Sequence, residues 1–298
     1  MKKFGKVINM KKFKLDHFAI GNTLSQTLCL YKHIVSNNIN ISEIEIHYKN
    51  DINKNCAYCI PGITPKQVKP IDGSSYEKFS SSWTKMKETP YVYLEVPKWF
   101  TPKFKVGKKS IVIQPREKSG FGGNHYNNHQ VERFVDVFPF HKLATKYAEL
   151  GYQIFHCGDS NTKLFPKHKN IIELPLIKNK TLLDDFYAVE HSAVVLGTES
   201  AMNVAGLCFN TQTIHSNSCH PHSDWWMGDI NLTKKLIDKK TKEQLSNDKI
   251  INKWGKQGIH HFFHKIKNDY ELLDNSYEEL DESIQKLLNN DKEINTQF

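Results

Sequence analysis

Between Ser110 and Ile214 the chain alternates short β-branched runs with segments whose apolar residues recur every three or four positions. Ser110-Ile-Val-Ile-Gln114, stopped by Pro115, reads as a strand entering a loop. Phe140, Leu143, Ala144, Tyr147 and Leu150 lie at helical spacing, with Gly151 as a left-handed stop. Tyr152 to Cys157 is the next expected strand, Gly158 to Asn161 a loop, and Ile171 to Leu174 a short strand. Thr181 and Asp184 have the spacing of a capping box, opening a helix with Leu182, Phe186 and Val189 on its apolar stripe. Ala193 to Leu196 reads as strand, Thr198 to Ser200 as turn, Ala201 to Leu207 as a short helix and Thr211 to Ile214 as strand. Such alternation requires parallel strands joined by crossover helices, a layered Rossmann-like α/β domain.

The N-terminal third carries a shorter version of the pattern. Leu15 to Ile20 is expected as a strand, Gly21-Asn22-Thr23 as a turn, and Leu24 to Val35 as a helix with Leu24, Leu28, Tyr31 and Val35 on one face. Ile44 to Tyr48 is a further strand, residues 50–90 are loop-rich around Pro61, Gly62, Pro65, Pro70 and Gly73, Tyr91 to Val96 is a last strand, and Pro97 to Lys109 is a linker. At the other end, Ser276 and Glu279 form a capping box ahead of a stripe of Tyr277, Leu280, Ile284, Leu287 and Leu288. The expected organisation is α/β with two Rossmann-like domains, residues 1–108 and 109–275, and a C-terminal helix and tail over 276–298.

With 298 residues, 39% hydrophobic and 24% charged, the chain can fill two modest cores, which excludes wholesale disorder. Lys plus Arg exceed Asp plus Glu by 41 − 32 = 9. A basic surface favours phosphorylated ligands, polyanions or an anionic membrane face, the plain alternative being a solvated lysine-rich exterior. Six cysteines (Cys29, Cys56, Cys59, Cys157, Cys208 and Cys219) are too sparse for a disulfide scaffold, so a reducing compartment is expected. The basic N-terminus leads into no apolar signal core, and no stretch approaches the roughly 18 apolar residues of a membrane span. These features predict a cytoplasmic protein with at most peripheral membrane contact, and no recognition motif points to nucleic acid.

Thr198-Glu-Ser-Ala-Met-Asn203 falls between a buried strand and a helix, where backbone N–H groups and the helix dipole attract phosphate. Ser200 is placed to bond a phosphate oxygen or simply to cap the helix, and Glu199 to accept from sugar hydroxyls. Arg116 follows its strand directly and suits a bidentate clamp on a diphosphate; Glu117, Lys118 and the Ser119-Gly-Phe-Gly-Gly123 loop come next. Histidines cluster at His125 and His129, at His220 and His222 beside Asp224, and at His260, His261 and His264. A zinc site on His220, His222 and Asp224, or His260 and His264 on one helix face, is set against chance grouping, and no metal is expected. Cys56-Ala-Tyr-Cys59 lacks a second pair and reads as two buried thiols, and Trp225-Trp226 as a sugar platform or an apolar anchor.

Three segments carry a family resemblance: Phe18-Ala-Ile-Gly-Asn-Thr-Leu24, Ile111-Val-Ile-Gln-Pro-Arg-Glu117 and Gly197-Thr-Glu-Ser-Ala-Met-Asn-Val-Ala205. Together they resemble two-Rossmann-domain (GT-B) nucleotide-sugar glycosyltransferases, above all heptosyltransferase-like enzymes and a bacterial surface-polysaccharide glycosyltransferase-like family. Gly151-Tyr-Gln-Ile154, Asp229 to Trp254 and Leu272 to Leu280 look like the same family. Heptosyltransferases place an acid where Asn22 stands, and an aspartate, a glycine and a downstream histidine where Glu199, Ala201 and Asn203-Val-Ala205 stand. The resemblance implies metal-independent transfer of a hexosyl, deoxyhexosyl or heptosyl group, without a cofactor. The nucleotide-sugar donor would lie on the second domain and a glycan or lipid-linked acceptor on the first. It implies Arg116 and Glu117 as catalytic residues and Gly21, Asn22, Lys118, Thr198, Glu199, Ser200 and Asn203 as donor-binding ones. Glu199 is expected as an exposed cleft carboxylate with no buried partner, and a general base among Asp16, Asp72, Glu95 and Glu117. An epimerase or hydrolase of the same fold, or a non-catalytic glycan- or nucleotide-binding module, is the alternative.

Overall fold

Phe13 and Leu15 alternate with lysines and are fully buried, the pattern of a strand with one covered face. This strand, β1 (Lys11–Leu15), leads into α1 (Ile20–Ser36), β2 (Ile44–Tyr48), α2 (Asp51–Tyr58), β3 (Val68–Pro70) and the short α3 (Trp83–Met86). A computed structural model describes residues 10–86, 90–116, 132–158, 162–221 and 228–295. The chain divides into two units, Met1–Thr101 and Pro102–Phe298. In the first unit β1, β2 and β3 form a parallel sheet in that order, with Phe13 opposite Ile46 and Ile46 opposite Val68.

Two expectations for this unit are corrected. The first strand ends at Leu15, because His17 leaves the sheet and its carbonyl accepts from Asn53 Nδ2 (2.7 Å) and Thr23 Oγ1 (3.3 Å). Gly21 and Asn22 consequently sit in the first turn of α1 rather than in a loop before it. Tyr91 to Val96 is irregular: Leu94 is buried and Tyr91 exposed, but the segment finds no partner strand among the described residues, and Glu95 N–H bonds the Cys59 carbonyl instead. Cys56 and Cys59 are buried thiols on and just after α2.

The second unit runs β4 (Ser110–Gln114), α4 (Phe138–Glu149), β5 (Gln153–His156), β6 (Ile171–Glu173), α5 (Leu182–Glu190), β7 (Val194–Gly197), α6 (Ala201–Cys208), β8 (Gln212–Ser218) and β9 (Ile230–Thr233). After these come β10 (Lys235–Asp238), α7 (Asn247–Trp254), α8 (Phe263–Ile266), β11 (Tyr270–Leu273) and α9 (Tyr277–Asn295). Six strands form one parallel sheet in the order β6-β5-β4-β7-β8-β9, and β10 and β11 pair antiparallel beside it in sequence. Ile111, Val112 and Ile113 are all buried, as a strand covered on both faces requires. Gly151 closes α4 at φ +85°, a left-handed position suited to glycine. The Thr181–Asp184 capping box is present, the Asp184 carboxylate accepting from Thr181 N–H at 2.8 Å. Both units are thus Rossmann-like α/β layers, as the resemblance implied.

The C-terminal stripe has a definite partner. Leu280, Ile284 and Leu287 complete the core made by Ile111, Ile113, Phe140, Leu143, Val194, Leu196 and Ile214, so α9 belongs to the second unit's sheet. Asp281 fixes its rotation, accepting from Tyr147 Oη (2.9 Å) and Lys146 Nζ (2.5 Å) on α4. No helix among the described residues is long and apolar enough to cross a membrane.

Replacing the fully buried Ile284 by alanine removes three carbons from this core. The expected loss is about 2–5 kcal/mol in urea unfolding, reported by the whole second unit rather than by local fraying. A loss under about 0.5 kcal/mol, the range of a surface change, contradicts the packing of α9.

Candidate functional site

Counted from β4, the six-stranded sheet has the order 3-2-1-4-5-6. Connections leave β4 toward one edge and β7 toward the other, so the chain diverges between these neighbours and opens a crevice beyond their carboxyl ends. Into this crevice run Pro115-Arg116 after β4 and Thr198-Glu199-Ser200 after β7.

Hydrogen bonds join the two loops. Thr198 N–H donates to the Gln114 carbonyl (3.3 Å), Arg116 N–H to Thr198 Oγ1 (2.8 Å), and Arg116 Nη1 to the Glu199 carbonyl (2.8 Å). Gly197 is required by close approach: a Cβ there would come within 1.9 Å of Asn203 Oδ1 and 3.2 Å of the Gln114 carbonyl. Asn203 is buried, its amide donating to the Ile214 carbonyl (3.2 Å) and meeting His215 Nδ1 (3.1 Å) on β8. Thr198 and Asn203, expected at the donor, are therefore braces of the turn. Ser200 occupies the position before α6 in extended conformation, but its hydroxyl donates to Asn203 Oδ1 (3.3 Å) and does not cap the backbone.

Glu199 departs most from expectation. Its side chain is fully buried and ion-paired by Arg133, whose Nε donates to Oε2 and whose Nη2 lies 3.3 Å from the Glu199 carbonyl. The other oxygen, Oε1, accepts from Cys219 N–H (2.7 Å) and Ser218 Oγ (3.3 Å) and lies 3.9 Å from His220 Nε2. Burial alone pushes this carboxyl up, but Arg133, His220, His215 and the Cys219 N–H together outweigh it and hold the group at about 2. Glu199 is thus a buried, ionised organiser of the turn, and its expected exposure is corrected.

The end of β8 is itself fixed from outside the sheet. Asn217 adopts a left-handed φ of 54°, and its backbone and side chain exchange two 2.6 Å bonds with Asn275. Ile259 N–H donates to the Cys219 carbonyl (2.6 Å), which brings His260 against His220 with ring centroids 5.3 Å apart. His260 belongs to a single tight turn and His264 to α8, so the two do not lie on one helix, the arrangement the sequence left open against chance grouping. Burial pushes the imidazoles of both His215 and His260 down to about 4, against the pull of Glu199.

Arg116, Thr198, Glu199, Ser200 and Asn203 are thus brought together at the crevice, while Gly21 and Asn22 belong to the other unit. Glu117, Lys118, the glycine loop, His125, His129, His222, Asp224, Trp225 and Trp226 lie outside the described residues. Sequence reasoning missed Arg133, His215 and the partnership of His220 with His260. A signal for the first was available: Arg116 and Arg133 are the two arginines of a chain with 41 basic residues, and both donate to the Glu199 carbonyl.

No family model matches the chain, and no curated protein matches it. Among solved structures it is similar to a glycosyl transferase family 9 protein from Veillonella parvula DSM 2008, at 11% identity over 93% of this chain and 97% of that one, with TM-score 0.46. It is also similar to E. coli heptosyltransferase WaaC with ADP (8% identity, 87% and 98% of the two chains, TM-score 0.43). The same enzyme with ADP-2-deoxy-2-fluoro heptose gives 7% identity, 82% and 98% coverage and TM-score 0.40.

Glu199→Gln removes the charge that Arg133 faces. Breaking a buried ion pair costs about 3–5 kcal/mol. Because the Arg133 side chain keeps 18% exposure, the expected loss is nearer 2–3 kcal/mol by chemical denaturation. A variant as stable as wild type contradicts the assigned role.

Acid provides a second test. The unfolded chain takes up a proton on His215 near pH 6.5 that the folded form refuses until about 4, so this contribution to stability is complete above 6.5 and lost as pH falls toward 4. Glu199 adds a second loss below its ordinary value of 4.5, as its carboxylate protonates toward about 2. Melting temperatures between pH 7.5 and 3 are expected to fall in this order, and His215→Asn to flatten the first decline.

Proposed function

We propose that the chain is a GT-B-type glycosyltransferase that moves a sugar from a nucleoside diphosphate donor to a glycan or lipid-linked acceptor. The observation that carries this reading is the convergence of Arg116 and Arg133 on the turn that opens α6, beside the β4/β7 divergence of the sheet. Parallel sheets of this order bind nucleotides there, because the carboxyl-end loops and a helix N-terminus face the same space.

Leaving-group departure from a nucleotide sugar develops charge on the diphosphate, and a site lowers that barrier by holding positive charge before the reaction begins. Two guanidiniums meet at the backbone carbonyl of this turn and bring positive charge to it. Ser200 leaves the first backbone N–H groups of α6 without a side-chain cap from its own hydroxyl, which suits phosphate binding. In this reading Glu199 is a positioning residue that fixes Arg133 and does not itself hold the sugar. By the resemblance, Glu117 stays a catalytic candidate and Lys118, Gly21 and Asn22 stay donor-binding candidates in this reading.

An inverting transfer needs a base for the acceptor hydroxyl. Asp72 is a poor one, since its Oδ1 accepts from Ser74 N–H (3.0 Å), Ser74 Oγ (2.6 Å) and Tyr76 Oη (3.0 Å), bonds that hold its carboxyl well below the usual range. Asp16 lies just past the carboxyl end of β1, and although burial pushes its carboxyl up, Lys14 at 3.0 Å holds it below the usual range as well, so neither group stands out as that base.

Nucleoside diphosphates are expected to raise the melting temperature, a ligand at 100 times its dissociation constant adding about 2.7 kcal/mol. Arg133→Lys keeps a cation beside Glu199 but loses the forked donor, and titration calorimetry on the folded variant is expected to show affinity lower by about tenfold, roughly 1.5 kcal/mol. Sugar released from a nucleotide sugar to water, or isomerised on it, with no dependence on an acceptor would favour a hydrolase or epimerase. Absence of a shift with every nucleoside diphosphate and nucleotide sugar overturns the proposal.

A further inference from the structure

Glu199, His220 and His260 come from three separate segments, yet one potential ligand atom of each lies within 4.8 Å of the other two, and all three residues are buried. A carboxylate oxygen and two imidazole nitrogens form a donor set suited to zinc and neighbouring divalent transition metals rather than to magnesium or calcium, which prefer oxygen. We propose that Glu199, His220 and His260 bind a divalent transition-metal ion, zinc by preference, at the carboxyl end of the second unit's sheet.

Three further observations bear on this set. Nδ1 of His260 is buried and meets no hydrogen-bond partner among the described residues, a costly position that metal ligation or an inserted ligand relieves. Gly258 forms the floor of the histidine pair: a Cβ there would come within 2.5 Å of His260 Cε1, 2.7 Å of His260 Nδ1 and 2.8 Å of His220 Cε1. A glycine at this point allows both rings to close on one space. Glu199 divides its oxygens, Oε2 facing Arg133 and Oε1 facing His220, so the ion-paired oxygen and the ligating oxygen are different atoms. Binding would exchange the long 3.3 Å Ser218 contact of Oε1 for the metal and keep the Cys219 N–H bond.

Three protein ligands leave a fourth tetrahedral position for water or an oxygen anion. With Arg116 and Arg133 alongside, the charged site would favour a phosphate oxygen there; this clause alone rests on the proposed glycosyltransferase reading. The site also differs from the metal-free transfer expected from the sequence, and from the His220, His222 and Asp224 set considered there.

The test measures metal rather than sugar transfer, so its failure is separable from failure of the proposed function. Full-length protein without a polyhistidine tag is purified in chelator-free buffer and its metal content determined, then stripped and titrated with Zn²⁺, Co²⁺ and Mg²⁺. The proposal expects close to one zinc per chain, a rise in melting temperature with Zn²⁺ and not Mg²⁺, and the visible absorption of tetrahedral Co²⁺. His260→Ala removes a ligand at the outer turn and is expected to lose bound zinc and the cobalt band, with His260→Cys restoring zinc binding in part. Gly258→Ala is expected to weaken zinc binding by at least tenfold. Wild-type protein with no bound metal and no response to Zn²⁺, or an undiminished response in His260→Ala, overturns the proposal.

Discussion

Taking the Glu199 carboxylate out of water without compensation would cost on the order of several kcal/mol, and the compensation is assembled from distant parts of the chain. Arg133 arrives from the segment before α4, Cys219 N–H and Ser218 Oγ from the end of β8, and Arg116 binds the same residue's backbone from the end of β4. Removing Arg133 leaves the buried carboxylate without its cation, so the loops at the crevice hold one another in place. The turn before α6 owes its shape to this network more than to its own residues.

The network in turn depends on the sheet. Only an order that sets β7 between β4 and β8 brings the ends of these three strands within reach of one side chain. The small residues along the turn are fitted to that closeness: Gly197 admits the Asn203 amide, which ties α6 to β8. Behind the sheet α9 fills the same core as β4, β7 and β8, so the C-terminal helix stabilises the strands whose far ends form the site. Beyond β8, reciprocal bonds between Asn217 and Asn275 and the Ile259–Cys219 bond place His260 beside His220. The result is a dense pair of ionic and imidazole groups at one edge of an otherwise apolar layer.

Much of the architecture was legible in the order of residues. Periodicity located β4, α4, β5, β6, α5, β7 and α6 nearly in register, and the Ser276 and Thr181 caps fell where expected, because those signals arise within a few residues of each other. Tyr91 to Val96 failed for the complementary reason: alternation describes a face, while a strand also needs a neighbour to receive its hydrogen bonds. At the site, the loop positions of Arg116 and Glu199 were correct and the environment of Glu199 was not. A glutamate after a strand looks solvent-facing until its partner is known, and Arg133 stands 66 positions away.

By itself, then, the sequence determined the alternating α/β layers, the positions of the two loops that meet at the crevice and the apolar stripe of the last helix. Each follows from backbone sterics and hydrophobic periodicity acting over one or two turns. Tertiary structure decided which charge is buried, which arginine holds it, and which of fifteen histidines stand together. These depend on strand order and on close approach between segments dozens of residues apart, where desolvation and Coulomb attraction compete over a few ångströms.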